Sequence, residues 1–472
     1  MMAGLGLTAA GSVLAACAPA APPPAPTAAP KPAAAPTTGA AAPAAAPTAA
    51  PAKPAAAGAK VLVWQTKLFT QAANDLSKKH IEEFAATKGW ATDINDLPTD
   101  AMAKMMAGIE SGDLPDIVQG SGEVPQLYGT GALVDVTAVV QELIKDNGDV
   151  YKLNIRGGNF KGKWWAVPWF MYADAYFCRK DVMDAGNKKI EDFKTFDQRR
   201  QLALDLSDPT KQLWGWGITP KDATGDGDIL ARHVINSWGG SITDESGEKV
   251  TLDSPATVAA VAWIQETYQD PKFKKMLPDG VLGWTGSSNN ENYLGGKIIF
   301  TQNASSLYWA MNNQKNDYYK KTQLVQFPTG PKNELMGGYP YYHWTFTKSK
   351  QRDAAIEIAK MQVDKKRQVE RTKIAEGQSW PVYQKLNEDP DIVAYIKSDP
   401  GYETLFKNCT HQSGWSVGWP AQLNPALATV ENQTTLTKLI DDAANNKGKP
   451  EQLVKDYHKR CVDIFNQMGL KQ

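Results

Sequence analysis

The chain has 472 residues, enough for two or three domains or one large bilobed body with an ample core. Its 51 Lys and Arg balance 51 Asp and Glu, so no global field points to nucleic acid or to an anionic membrane surface. Four cysteines without C-x-x-C or Cys/His spacing exclude a zinc knuckle and a thioredoxin-type pair, whereas 15 Trp and 16 Tyr favour a ligand with apolar faces and hydroxyls.

Residues 1–17, MMAGLGLTAAGSVLAAC, form a small-residue apolar run too short to span a bilayer as a stable helix. The run reads as a secretory segment with its cleavage site, although no Lys or Arg precedes it where a positive flank is expected. Leu14-Ala15-Ala16-Cys17 resembles a bacterial lipobox, which implies cleavage before Cys17 and lipidation of that residue. Residues 18–59 are almost wholly Ala, Pro and Thr, a composition that buries too little surface to fold and reads as a disordered stalk. At roughly 3.1 Å per residue in extended form, the stalk reaches up to about 120 Å. Localisation is therefore expected to be extracytoplasmic, at the cell surface or in the periplasm, with a lipid anchor to the membrane. No other apolar run approaches the length of a transmembrane helix.

The body opens on a short apolar strand, Lys60–Trp64, followed by Ala73, Leu76, Ile81 and Phe84 at helical spacing. A second helix carries Met102, Met105, Met106 and Ile109 and stops at Gly112, before a strand over Asp116–Gln119. This alternation predicts a mainly parallel sheet covered on both faces, with ligand in the crevice beyond the carboxyl ends of the strands. Trp64 and the loop Gly120–Glu123 are then candidate site segments. Lys163–Asp181, KWWAVPWFMYADAYFCRKD, predicts a strand, a break near Pro168 and a second strand. Further on, Ser254-Pro255 and Pro450 open helices, the last with an apolar face that includes Cys461. Cys178 and Cys409 are left open as a disulfide, since spacing does not give distance.

The order Leu114-Pro-Asp-Ile117, Gly131–Thr137, GKWWAVPW with YFCRKDVM, Trp214–Thr219, Asn236–Gly240, Gly295–Asn303 and Gly337-Gly338 resembles family 1 extracellular solute-binding proteins. These are the maltose- and oligosaccharide-binding proteins of bacterial ABC importers, here in lipoprotein form. The resemblance covers about residues 60 to 470. It implies an α/β fold of the periplasmic-binding-protein type II kind, two lobes joined by crossing hinge segments with the ligand cleft between them. The Lys163–Asp181 stretch corresponds to the first crossing, Lys297–Gln302 to the second and Tyr339–Phe346 to the third. Lobe one is expected over 60–170 plus 301–340, and lobe two over 171–300 plus 341–472.

A sugar site combines aromatic faces with planar polar groups. By family position, Glu123 is an acceptor of ligand hydroxyls and Tyr172 a contact at the first crossing, with Asp174 a weaker candidate that serves the backbone equally well. Gly120 stands where many relatives carry an aromatic residue. Asp226 and Asp228 fall where lobe two supplies acidic contacts, and Trp415 matches a late stacking aromatic, with Trp419 its competitor. Trp64, Trp238, Gln302, Asn303 and Tyr339 complete the candidate ligand-binding set, Trp238 facing either cleft or core. Asp222, Asp226 and Asp228 lack the EF-hand spacing, so no metal is assigned, and no cofactor is expected.

Five scattered histidines and the absence of nucleophile-elbow, Walker and zincin motifs remove the common enzyme signatures. A glycosidase needs only two carboxylates and stands as the rival, together with a same-fold binder of a non-sugar solute. The preferred reading is a non-enzymatic, monomeric, membrane-tethered protein that captures a carbohydrate and delivers it to ABC permease subunits.

Overall fold

Val61 and Val63 alternate inward along the first strand, β1 (Lys60–Thr66), and both are fully buried in the computed structural model, which describes residues 58–97, 101–122, 124–221, 225–411 and 417–472. Helix α1 (Gln71–Lys88) ends at Gly89, whose φ of 69° suits glycine and lets its N–H bond back to the Ala85 and Ala86 carbonyls. Strand β2 (Ala91–Leu97), helix α2 (Ala101–Ser111) and strand β3 (Ile117–Ser121) follow. β1 pairs in parallel with both β2 and β3, as the strand–helix alternation predicts.

The aromatic stretch forms β4 (Val167–Arg179), a strand of 13 residues that are all buried. The expected break at Pro168 is absent; instead the pairing register slips opposite it, between Tyr341 and Tyr342. Proline has no N–H to offer a ladder, and a bulge accommodates that loss without ending the strand. Trp164 and Trp165 precede β4 as buried packing residues, the Trp165 indole N–H donating to Phe160 O at 3.1 Å.

Beyond β4 the chain builds a second group of strands. Helix α3 (Phe196–Leu206) begins with a capping box from Thr195 and Gln198, and β5 (Trp214–Trp216) follows it. Helix α4 (Gly225–Ser237) precedes α5 (Pro255–Gln269), which starts as predicted with Ser254 accepting from Thr257 N–H and proline in its first turn. Strand β6 (Ile298–Ala304) runs parallel to β5 and antiparallel to the Asp174–Cys178 half of β4. Helix α6 (Ser305–Asn313) leads to β7 (Thr322–Val325), which takes the other edge of that half.

Strand β8 (Gly338–Thr345) then pairs antiparallel with β3 on one side and with the Val167–Ala173 half of β4 on the other. Its start needs glycine, because a Cβ on Gly338 would lie 2.5 Å from Tyr172 O. Helices α7 (Arg352–Gln362) and α8 (Lys365–Ile374) pack on α1, and α9 (Pro400–Thr410) lies across β4. Helix α10 (Pro425–Asn432) joins α11 (Thr435–Ala444), which packs on α4 and α5, and α12 (Pro450–Gln467), which packs on α5.

Strand pairing therefore divides the chain differently from the expected 60–170 plus 301–340 and 171–300 plus 341–472. Residues 298–325 belong with β5 and the second half of β4, whereas 338–374 return to β1, β3 and α1. Lys297–Gln302 and Tyr339–Phe346 are extended, as their composition suggests, but each forms a strand within one group. A sequence pattern identifies a strand without naming its partner, and that is why the assignment went to the wrong side. Cys178, Cys409 and Cys461 are all buried free thiols, so the pair left open is not bridged.

Candidate functional site

The switch of partners along β4 falls between Ala173, opposite Gly338, and Asp174, opposite Ala304. Period-two alternation puts Tyr172 and Asp174 on the same face of the strand at this switch. Tyr172 pairs with Tyr339 across the ladder, ring centroids 6.3 Å apart, and Tyr341 stands 6.5 Å from it. Tyr341 in turn stacks on Phe170, centroids 4.3 Å apart at 14°. The Tyr172 hydroxyl is buried near Ser305 and Ser306 of α6 but makes no hydrogen bond of ordinary geometry.

Asp174 is fully buried, and neither carboxylate oxygen has a hydrogen-bond partner. Burial first, then the charges of Asp226 and Asp228, push its carboxyl well above the usual carboxylate range. The first turn of α4 supplies those two acids, a position favoured by the helix dipole. Asp226 is buried and raised to about 7 by that burial, partly offset by a hydrogen bond from Asn289. Its Oδ1 accepts from Asn303 Nδ2 at 3.4 Å, and its carbonyl accepts from Gln302 Nε2 at 2.8 Å. Asn303 also donates to Asn290 Oδ1 at 2.6 Å. Tyr339 is half-buried with its hydroxyl end enclosed; burial and then Asp174, Asp228 and Asp226 hold it well above its ordinary value.

Asp228 is engaged differently. Its Oδ2 accepts from Arg232 Nε at 2.8 Å and its Oδ1 from the Thr437 hydroxyl at 3.2 Å. The same guanidinium grips both Glu431 oxygens at 3.0 Å, and Glu431 Oε1 accepts from Gly418 N–H at 2.9 Å. Burial pulls Arg232 down, but Asp228 and Glu431 outweigh it and hold it charged. This network ties α4 to α10 and α11, and it occupies the carboxylate expected to meet ligand.

Tyr172, Tyr339, Asp226, Gln302 and Asn303 thus converge, while two predicted contacts lie elsewhere. Trp238 is partly buried and packs against the core beside Phe196 of α3 and Trp263 of α5, at 5.5 and 5.4 Å between centroids. Trp64 belongs to an apolar cluster with Leu97, Met105 and Val118, and Lys104 caps its ring at 4.5 Å. Glu123, Trp415, Asp222 and Cys17 lie outside the described residues. Tyr341 and Arg232 went unpredicted, yet the signals are present: Tyr341 alternates with Tyr339 on one strand, and Arg232 stands four residues after Asp228 on a helix. Among the described residues no group of three acids, histidines or cysteines converges closely enough to hold a metal ion.

The sequence matches the family model for bacterial extracellular solute-binding proteins over residues 79–404, and the chain belongs to that family. Its members bind solutes and are not enzymes, and among the described residues no helix is long and apolar enough to cross a membrane. The fold is that of solved solute-binding proteins. One from Thermotoga lettingae, bound with α-D-tagatose, superposes with a TM-score of 0.71 at 12% identity, covering 86% of this chain and all of that one. Maltose-bound MalE3 of T. maritima gives 0.71 at 18% identity, over 86% and 99% of the two chains. A Listeria monocytogenes ABC substrate-binding protein in complex with cycloalternan gives 0.70 at 16% identity, over 87% and 99%. No curated protein matches the sequence.

Proposed function

We propose that this protein captures a carbohydrate at the junction along β4 and delivers it to the permease subunits of an ABC importer. The observation that carries this reading is the facing pair Tyr172 and Tyr339 beside Asp174, Asp226 and Asn303. Aromatic faces suit the C–H side of a pyranose, and carboxylate and amide groups suit its hydroxyls. Solved proteins of the same fold that hold tagatose, maltose and cycloalternan support it further. The strand groups on either side of the Ala173–Asp174 switch act as two lobes that close on the solute, driven by its higher affinity for the closed form. Cleavage before Cys17 and lipidation would tether the body through the sequence that precedes it, which lies outside the described residues; Gly58 and Ala59, expected in the stalk, pair with Gly89 and Ala91 and belong to the body. Calorimetry against mono- and oligosaccharides tests the reading: binding without turnover, weakened by Tyr172→Ala, supports it, and a panel without any sugar ligand sinks the carbohydrate assignment.

A further inference from the structure

The charge at the junction does not balance. Arg232 is the cation paired within it, and its donors are taken up by Asp228 and Glu431. Asp174 and Asp226 form no ion pair with a described residue, and both are buried. A buried carboxylate without a counter-ion is costly, so burial holds both carboxyls towards the protonated form, and a protonated amine lets them ionise by supplying the counter-charge in a charge-assisted hydrogen bond. An aliphatic hydroxyl from a neutral sugar supplies no such charge.

A second observation points the same way. The Tyr172 hydroxyl, on the same face of β4 as Asp174, is enclosed without a hydrogen bond of ordinary geometry among the described residues, and the Tyr339 ring lies beside its own, centroids 6.3 Å apart. Tyrosine faces attract cations, and a tyrosine hydroxyl accepts from an ammonium group as readily as it donates. Since no three described ligating groups converge at metal-binding distance, the arrangement suits an organic cation with several donors rather than a metal ion.

We infer that the solute carries a protonated amine, seated on Asp174 and Asp226 beside Tyr172 and Tyr339, and is therefore an amino sugar or an oligosaccharide containing one. The inference rests on the reading of this junction as the solute site and adds the charge of the ligand to it. It sets a preference between otherwise isosteric compounds, glucosamine over glucose and the glucosamine dimer over cellobiose.

Calorimetry of the full chain with those four sugars, N-acetylglucosamine and spermidine decides it. The amino sugars are expected to bind at least about tenfold more tightly than their neutral counterparts, and N-acetylation to remove the gain. Asp174→Asn and Asp226→Asn should each erode the preference for the amine, read as the ratio of amine to neutral-sugar affinity on the same variant, whatever either change does to sugar binding as a whole. Both substitutions replace a buried acid by its neutral isostere, so folding is retained, and a thermal melt checks it. Equal affinity for amine and neutral sugar, or a preference that survives both substitutions, overturns the inference while carbohydrate capture stands. Spermidine binding without any sugar overturns the carbohydrate reading and upholds the amine. A panel without any ligand overturns both.

Discussion

Asp174 in the middle of β4 lies within the field of Asp226 from the first turn of α4, and neither carboxylate is ion-paired with a described residue. Both acids belong to the strand group that begins at Asp174, and when ionised they repel one another.

Burial gives Asp226 a pH signature. Asp226 is raised to about 7 from an unfolded value near 3.8, so the folded chain holds its proton more tightly than the unfolded chain does. Between those values, stability from this group falls as pH rises, the reverse of an ion-paired carboxylate. Asp226→Asn should therefore match the parent near pH 4 and exceed it by pH 8, by roughly 1–4 kcal/mol in denaturant unfolding. A stability difference that does not change with pH would show that the carboxyl titrates normally.

The Arg232–Glu431 pair predicts the opposite outcome. Its removal strands buried charge, so Arg232→Met should cost about 3–5 kcal/mol, and the double replacement Arg232→Met with Glu431→Met should recover part of that loss. Chemical denaturation of the two single variants and the double variant gives the coupling directly. Additive losses would mean that the bidentate contact contributes little.

Tyr172→Phe removes a hydroxyl that makes no hydrogen bond of ordinary geometry with a described residue, so the ligand-free melting temperature should stay the same or rise. Affinity for the solute should fall about two- to tenfold if that hydroxyl meets ligand. A drop in melting temperature with unchanged affinity would assign the hydroxyl to the fold instead.

Trp238→Ala should cost about 2–4 kcal/mol by opening the aromatic core with Phe196 and Trp263, and leave ligand affinity unchanged in calorimetry. A loss of affinity without loss of stability would return this residue to the cleft.

Lipid attachment is tested in cells. Cys17→Ser should abolish incorporation of labelled fatty acid and release the protein from the membrane fraction. Retention on membranes without label would point to a different anchor.

Much of the fold was legible because its signals are local. Helix starts at Ser254-Pro255 and Pro450 and the parallel strands at Val61 and Ile117 follow from capping and periodicity within a few residues. Tyr172 and Asp226 were singled out by their positions in the family order, and the fold brings both to the junction along β4. What stayed hidden depends on pairing across hundreds of residues. No pattern within Tyr339–Phe346 says that it lies between β3 and β4, and none says that Asp228 is held by Arg232 while Arg232 is held by Glu431. Trp238 shows the same limit, since a tryptophan before two glycines serves a core and a cleft equally well until the turn is seen.

The continuity of β4 across its change of partners bears on how the protein discriminates among solutes. If the lobes swing about the point where its partners change, Asp174 and Tyr172 lie at the axis and hardly move, whereas groups on α4 travel with the arm. Contacts at the axis then hold ligand equally in open and closed forms and select which compounds enter. Only contacts out along the lever, Asp226 among them, differ between the two forms and can drive closure. Selection and signalling to the transporter would accordingly be separable by mutation, one at the pivot and the other on the arm.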